Sequence, residues 1–257
     1  MRILGRLALL AVASAGSAFA QAPQSPPPAS PPAVSPTPAP AAADAKAGVA
    51  NTIEQRVLAC AICHGKNGEG ARKSEYYPRL AGKPVEYLYN QLIGFREKRR
   101  SSSPIMTYMV GALSDNYLHE IATYYAGLKP PYPETTPRAD AATLARGQEL
   151  AMRGDKTRDI PACASCHGTG LTGLLPAIPG ILGLYPDYIG GQLGAWKDGK
   201  RNSVAPDCMA RIASRLNGAD VSAVAAWLAT QPASPDRPPL AVGALKLPME
   251  CGGAPGK

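Results

Sequence analysis

From residue 85 onward the apolar positions recur at helical spacing. Leu88, Leu92 and Phe95 fall on one helix face, and Ile189, Leu193 and Trp196 repeat that spacing further along. Ser114, followed by Asp115, has the chemistry of an N-cap ahead of Leu118, Ile121, Ala122 and Tyr125, and Gly127 is placed to end that helix. Asn217 opens another helix, with Val221, Val224, Ala225 and Leu228 at the same spacing. No stretch alternates apolar and polar residues as a strand with one wet face would. The pattern predicts an all-α fold.

The helices belong to two copies of one unit. "ACAICHG" at 59–65 recurs as "ACASCHG" at 162–168, an offset of 103 residues. "PRLAGKPVEYLYNQLIGF" from Pro78 parallels "PGILGLYPDYIGGQLGAW" from Pro179 at an offset of 101. Proline-rich "KPPYPETTP" lies between the copies, and "QPASPDRPP" follows the second. Two domains are therefore expected over 45–129 and 139–231, joined by a linker at 130–138 and followed by a tail over 232–257.

The N-terminal region has a different character. Residues 1–20 carry Arg2 and Arg6, an apolar run from Leu7 to Val12 and the small-residue end Ala18-Phe19-Ala20, the pattern of a secretory signal peptide. The apolar run is short for a bilayer span, which weighs against an uncleaved anchor. Residues 21–44 are rich in Pro and Ala, a composition that cannot bury a core and favours an extended, disordered spacer. An exported, periplasmic protein follows, and nucleic acid is excluded as a partner. Removal of the leader lowers the formal charge from +8 to +6.

Only 2 Phe and 2 Trp occur in the chain, so each small helical unit is short of large core side chains and calls for a staple. Cys60-Ala-Ile-Cys63-His64 and Cys163-Ala-Ser-Cys166-His167 answer that need. Both match Cys-x-x-Cys-His, the attachment motif of c-type haem. Thiols one helical turn apart can add to two vinyl groups on one porphyrin edge, and the adjacent histidine then meets the iron. A zinc site would require the distant pairs to converge. A thioredoxin-like pair would need strands around it. A disulfide within each motif leaves both histidines unexplained. Two covalent haem c groups are expected, with His64 and His167 on the irons.

Each iron then needs a further ligand. His119, the remaining histidine, has no counterpart in the second unit. Met106 lies 42 residues after His64, and Met209 lies 42 residues after His167. Met109 corresponds to Ile212 and Cys208 to Ile105, so the repeat assigns Met106 and Met209 to the irons and Met109 to packing. A His/Met iron has no open position for a substrate, and its ligands raise the reduction potential.

Taken together, "CAICHG", "PRLAG", "IMTYMVGALSD", "IPACASCHG", "GGQLGAWKDGKRN" and "RLNGADVSAVAAWLA" make the chain resemble the two-haem cytochromes c of the cytochrome c-four family, tandem class I cytochrome c domains, over about 45–230. The resemblance implies a periplasmic carrier that passes single electrons between respiratory partners, often to a terminal oxidase. It places the ligand methionine seven residues before the Leu of an "LS"-type pair, as Met106 stands to Leu113 and Met209 to Leu216. It also implies that the carbonyls of Pro78 and Pro179 accept hydrogen bonds from the haem histidines, which would orient the rings. Without the resemblance, these prolines could equally serve only to shape the loop. The spacer, the tail and two extra cysteines depart from the family pattern.

Those cysteines, Cys208 and Cys251, admit three arrangements: a disulfide holding the tail beside the second haem crevice, two separate thiols, or a Cys208 thiolate in place of Met209 on the iron. The last would make the chain a sulfur-compound-oxidising enzyme. The basic run Arg96, Lys98, Arg99 and Arg100, matched by Lys197, Lys200 and Arg201, fits a solvated helix end, a docking surface for an acidic protein, or partners for haem propionates. No residue constellation for bond chemistry appears. The leading reading is an electron carrier with protein donor and acceptor and no small-molecule substrate. The alternative is a cytochrome subunit of a periplasmic dehydrogenase complex, peripheral to membrane complexes.

Overall fold

The computed structural model describes residues 51–71, 74–134 and 139–254. The expected leader and spacer, and residues 135–138 of the expected linker, lie outside the described residues. The first unit contains α1 (Ile53–Arg56), α2 (Leu58–His64), α3 (Val85–Arg96), α4 (Pro104–Val110) and α5 (Asp115–Gly127). The second contains α6 (Ala141–Met152), α7 (Ala164–His167), β1 (Gly173–Leu174), β2 (Ile178–Pro179), α8 (Pro186–Lys197), α9 (Cys208–Ala213) and α10 (Gly218–Thr230). The antiparallel pair β1–β2, with Gly173 opposite Pro179 and Leu174 opposite Ile178, departs from the purely helical pattern. At two residues per strand it is too short to leave an alternating signature.

The helix starts are chemically explicit. Ser114 accepts a hydrogen bond from the Tyr117 N–H, satisfying one free donor of α5. Asn217 and Asp220 form a reciprocal capping box on α10, each side chain accepting from the other's backbone N–H. In the first unit, Leu88 and Phe95 of α3 meet Leu118, Ile121, Ala122 and Tyr125 of α5 in the buried core. In the second, α6 crosses α10 so closely that a Cβ on Gly147 would sit 2.1 Å from the Ala223 carbonyl oxygen. Glycine is required there by the crossing itself. Leu150, Leu193, Val224, Trp227 and Leu228 complete that core.

Asp220 is buried at the centre of an ionic network. It accepts from Arg146 Nε at 3.0 Å and from Arg158 Nη1 at 2.7 Å, and both arginines also bond Asp155. Burial alone would raise the Asp220 carboxyl, but Arg158, the Asn217 N–H and Arg146 hold it below the ordinary carboxylate range. Thr157, Arg146 and Arg158 do the same for Asp155. Folded-state pKa values below the unfolded ones mean that this stabilisation is present above about pH 4 and is lost as pH falls through the depressed values. Asp220→Ala takes one of two carboxylate partners from Arg146 and Arg158, which keep Asp155, and removes one arm of the capping box, so thermal or urea unfolding is expected to show a loss of about 2 kcal/mol.

The two units meet through matching helix ends. Arg100 and Arg201 face each other in an antiparallel bridge, with the Ser101 N–H donating to the Lys200 carbonyl at 2.8 Å and the Asn202 N–H to the Arg99 carbonyl at 2.7 Å. Arg100 donates to Gln91 and, at 2.7 Å, to Gln192; Arg201 donates to the same two glutamines and to Tyr87. Both guanidinium groups are buried, stacked over Phe95 and Trp196 respectively. A solvated or partner-facing role is thereby removed for Arg100 and Arg201, because tertiary contact between the repeats covers the chain after each helix.

The tail packs on the second unit. Leu240 exchanges backbone hydrogen bonds with Gly173 and Leu175 beside β1, and the Gly252 N–H donates to the Pro206 carbonyl at 3.0 Å. Cys208 and Cys251 are joined in a disulfide across 43 residues. Among the described residues no helix is long and apolar enough to cross a membrane.

Candidate haem site

Helix α2 carries Cys60, Cys63 and His64, and α7 with its cap residue Cys163 carries Cys166 and His167. Each helix stops at a glycine, Gly65 at φ 83° and Gly168 at φ 86°, a left-handed conformation that side chains disfavour. The abrupt stop leaves each histidine at the end of its helix, buried and facing inward. His64 Nδ1 donates to the Pro78 carbonyl at 2.9 Å, and His167 Nδ1 donates to the Pro179 carbonyl at 2.7 Å. Burial lowers both imidazole pKa values, against the smaller opposing effect of the proline carbonyls. Each ring is therefore neutral, with Nδ1 committed as donor and the Nε2 lone pair free to bind a metal.

All four motif cysteines are outside disulfides. Before haem attachment, burial pushes the Cys163 thiol up to about 11 and raises Cys60 and Cys166 as well. Together with Met106 and Met209 they line a cavity of about 1010 Å³ that extends through both units. Met106 packs against Phe95, Val110 and Leu118, whereas Met209 joins the core of the second unit. Met109, expected as packing, is on α4 and also lines the cavity. Cys208 lies next to Met209, but its sulfur is held by Cys251.

The cavity fits two porphyrins in chemistry as well as in space. Tyr125 Oη, Trp196 Nε1 and Arg100 Nε line it or border it, buried and without a hydrogen-bond partner among the described residues. Such donors inside an apolar cavity suit a large group with an anionic edge. Arg100 and Arg201 make no ion pair with a carboxylate among the described residues, so the wall of the cavity holds two uncompensated cations. Burial, with Arg201 adding to it, brings Arg100 down to about 10.

Three features were not singled out from sequence. Arg79 is buried and donates to the carbonyls of Ala81, Pro130 and Pro131 while stacking on Tyr132, which pins the start of the linker. Lys83 is buried at the junction of the units, and the repeat register could have flagged it, since Leu184 holds the equivalent place. The pairing of Arg100 with Arg201 had no local signal. His119 is half exposed and bonds Glu86 at the surface, away from the cavity.

Two copies of Cys-x-x-Cys-His at the ends of short helices, opening on one apolar cavity in an all-α pair of units, define a two-haem c-type cytochrome. No protein-family model matches the chain. It is 41% identical over 179 residues to the thiosulfate dehydrogenase electron acceptor of Thiomonas intermedia (strain K12), covering 70% of this chain and 81% of that one. It is 31% identical over 184 residues to cytochrome c4 of Pseudomonas aeruginosa, covering 71% of this chain and 88% of that one. The crystal structure of reduced recombinant cytochrome c4 from Pseudomonas stutzeri superposes with a TM-score of 0.58 at 28% identity, over 68% of this chain and 95% of that one. The chain belongs to the cytochrome c4 family: it carries two covalently bound haems and transfers electrons rather than catalysing bond chemistry.

Proposed function

We propose that the chain is an exported, periplasmic carrier that takes single electrons from a thiosulfate-oxidising dehydrogenase and delivers them to a respiratory acceptor such as a terminal oxidase. Cys60 and Cys63 would attach the first haem, with His64 and Met106 placed to hold its iron. Cys163 and Cys166 would attach the second, with His167 and Met209 placed to hold its iron. The observation that carries this ligand set is the convergence of both motifs and both methionines on one apolar cavity. The donor class rests on the similarity to an electron acceptor of thiosulfate dehydrogenase. When bound, each haem supplies a one-electron Fe(III)/Fe(II) couple.

The protein's own groups prepare that couple in several ways. Pro78 and Pro179 fix the imidazole orientation and keep the proton on Nδ1. The apolar walls exclude water, so little solvent reorganises when charge changes. Met106 and Met209 pack against the cores of their units, so each thioether would be offered to its iron from a fixed position. Arg100 and Arg201 offer positive charge at the junction of the units, where haem carboxylates would otherwise be buried without a counter-ion. The disulfide removes Cys208 as a thiolate, so the enzyme reading built on that residue has no reactive group in this state.

Two measurements test the proposal. The oxidised protein is expected to show the weak long-wavelength sulfur-to-iron band at an intensity corresponding to two His/Met irons. Met209→Ala halves it, and Cys208→Ala leaves it intact; the reverse pattern overturns the ligand assignment. Thiosulfate alone is expected to leave the haems oxidised, whereas thiosulfate with a catalytic amount of a thiosulfate dehydrogenase reduces both. Reduction by thiosulfate without the dehydrogenase overturns the carrier reading.

A further inference from the structure

Lys83 is 5% exposed, yet it belongs to the first unit and reaches into the second. Its Nζ donates to the Gly180 carbonyl at 2.5 Å, one peptide beyond the Pro179 carbonyl that holds His167. The cleft beside it is lined by Tyr132, Thr172, Ser234 and Arg237, and no carboxylate lines that cleft. The nearby guanidinium of Arg79, bonded to the carbonyls of Pro130 and Pro131, adds like charge and does not compensate the lysine. Among the described residues Lys83, which also lines the large cavity, is thus a buried cation with no carboxylate in an ion pair, placed behind the imidazole of the other unit, and its charge opposes positive charge on His167. His64 has burial and the Pro78 carbonyl acting on it, with no such lysine. In the repeat register Lys83 corresponds to Leu184, a buried aliphatic residue, so the arrangement is not reciprocated.

We infer that Lys83 is a positioning residue that separates the two haems in reduction potential, its cation raising the potential of the haem held by His167 above the value that haem would otherwise have. This rests on the proposed ligand set. A fixed positive charge destabilises the ferric state more than the ferrous state, and a dry, low-dielectric setting screens it little. Two units built from one duplicated sequence would otherwise differ little in the groups behind the proximal histidine. A higher potential on the second haem makes it the thermodynamic resting place of the first electron to arrive, giving the electron a direction through the protein.

The test is a potentiometric titration of the intact two-haem protein, resolved into two one-electron midpoints at pH 6. Burial brings Lys83 down to about 7, so the side chain is mostly charged at that pH. Met209→His identifies the second haem as the midpoint that drops. Lys83→Met is expected to make that same midpoint more negative by about 59 mV, a tenfold change in the one-electron equilibrium. Lys83→Arg, which keeps the charge, is expected to hold that one-electron equilibrium within about threefold of wild type. Lys83→Leu, the residue of the second unit at this place, repeats the loss of charge with a different side-chain shape. An unchanged second midpoint in both neutral variants, an equal shift of both midpoints, or a shift of the first alone overturns the inference while leaving the ligand set intact. If Met209→His moves neither midpoint, the ligand set fails and the inference falls with it.

Discussion

Replacing Cys163 and Cys166 together by alanine is expected to leave one covalent haem per chain and to unfold the second unit. The reason is the shape of its core. Leu193, Leu216, Val224 and Leu228 are buried, yet each also lines the cavity, so the side chains of α8, of α10 and of the turn before α10 would close on the prosthetic group as much as on one another. A single Leu→Ala void in a protein core costs about 3–5 kcal/mol. A porphyrin is several times larger than the atoms lost in that substitution, and a whole domain is stable by only about 5–15 kcal/mol. The haem-to-protein ratio, read from the absorbance of the reduced pyridine complex, should fall from two to one. Far-ultraviolet circular dichroism should lose part of its helix signal at the same time. A ratio of two contradicts the proposed attachment, and a fully helical one-haem protein contradicts the dependence of the second unit on its haem.

Replacing Cys208 and Cys251 together by serine is expected to cost about 4 kcal/mol, the loop-closure value for a link of this length. The separation is 43 residues and spans α9, α10 and most of the tail. The loss should appear as a lower urea midpoint for the second unit, with the same shift produced by a reductant that opens the bond in the wild-type protein. Because Gly252 stays hydrogen-bonded to Pro206 and Leu240 to Gly173, the tail is expected to remain docked below the transition. The sulfur-to-iron band of Met209 should therefore survive in the variant. An unchanged urea midpoint would show that the link adds nothing to folding stability.

Much of this protein is legible in short-range pattern. The spacing of Leu88, Leu92 and Phe95 corresponds to α3, and that of Ile189, Leu193 and Trp196 to α8. Ser114 and Asn217 cap the helices they were expected to open. The duplicated Cys-x-x-Cys-His implies two haems without any coordinates, because haem attachment needs two thiols and a histidine within one helical turn, and such a requirement is written locally. The 42-residue interval to each methionine is longer, but the duplication makes it readable by supplying an internal control. The brief β1–β2 pair left no signature, since two residues cannot display a period of two.

The amino-acid sequence by itself determined the all-α class, the duplication, the covalent cofactors and the candidate ligands, because each depends on residues a few positions apart or on comparison of one copy with the other. Tertiary structure decided the rest. It joined Cys208 to Cys251 where sequence left three arrangements open. It buried Arg100 and Arg201, which in the chain look like ordinary cations at a helix end. It carried Lys83 across to Gly180, a partner 97 residues away. The physical reason is common to all three. Burial and electrostatic environment belong to whatever surface folds against a side chain, and here that surface comes from the other copy of the repeat or from the tail.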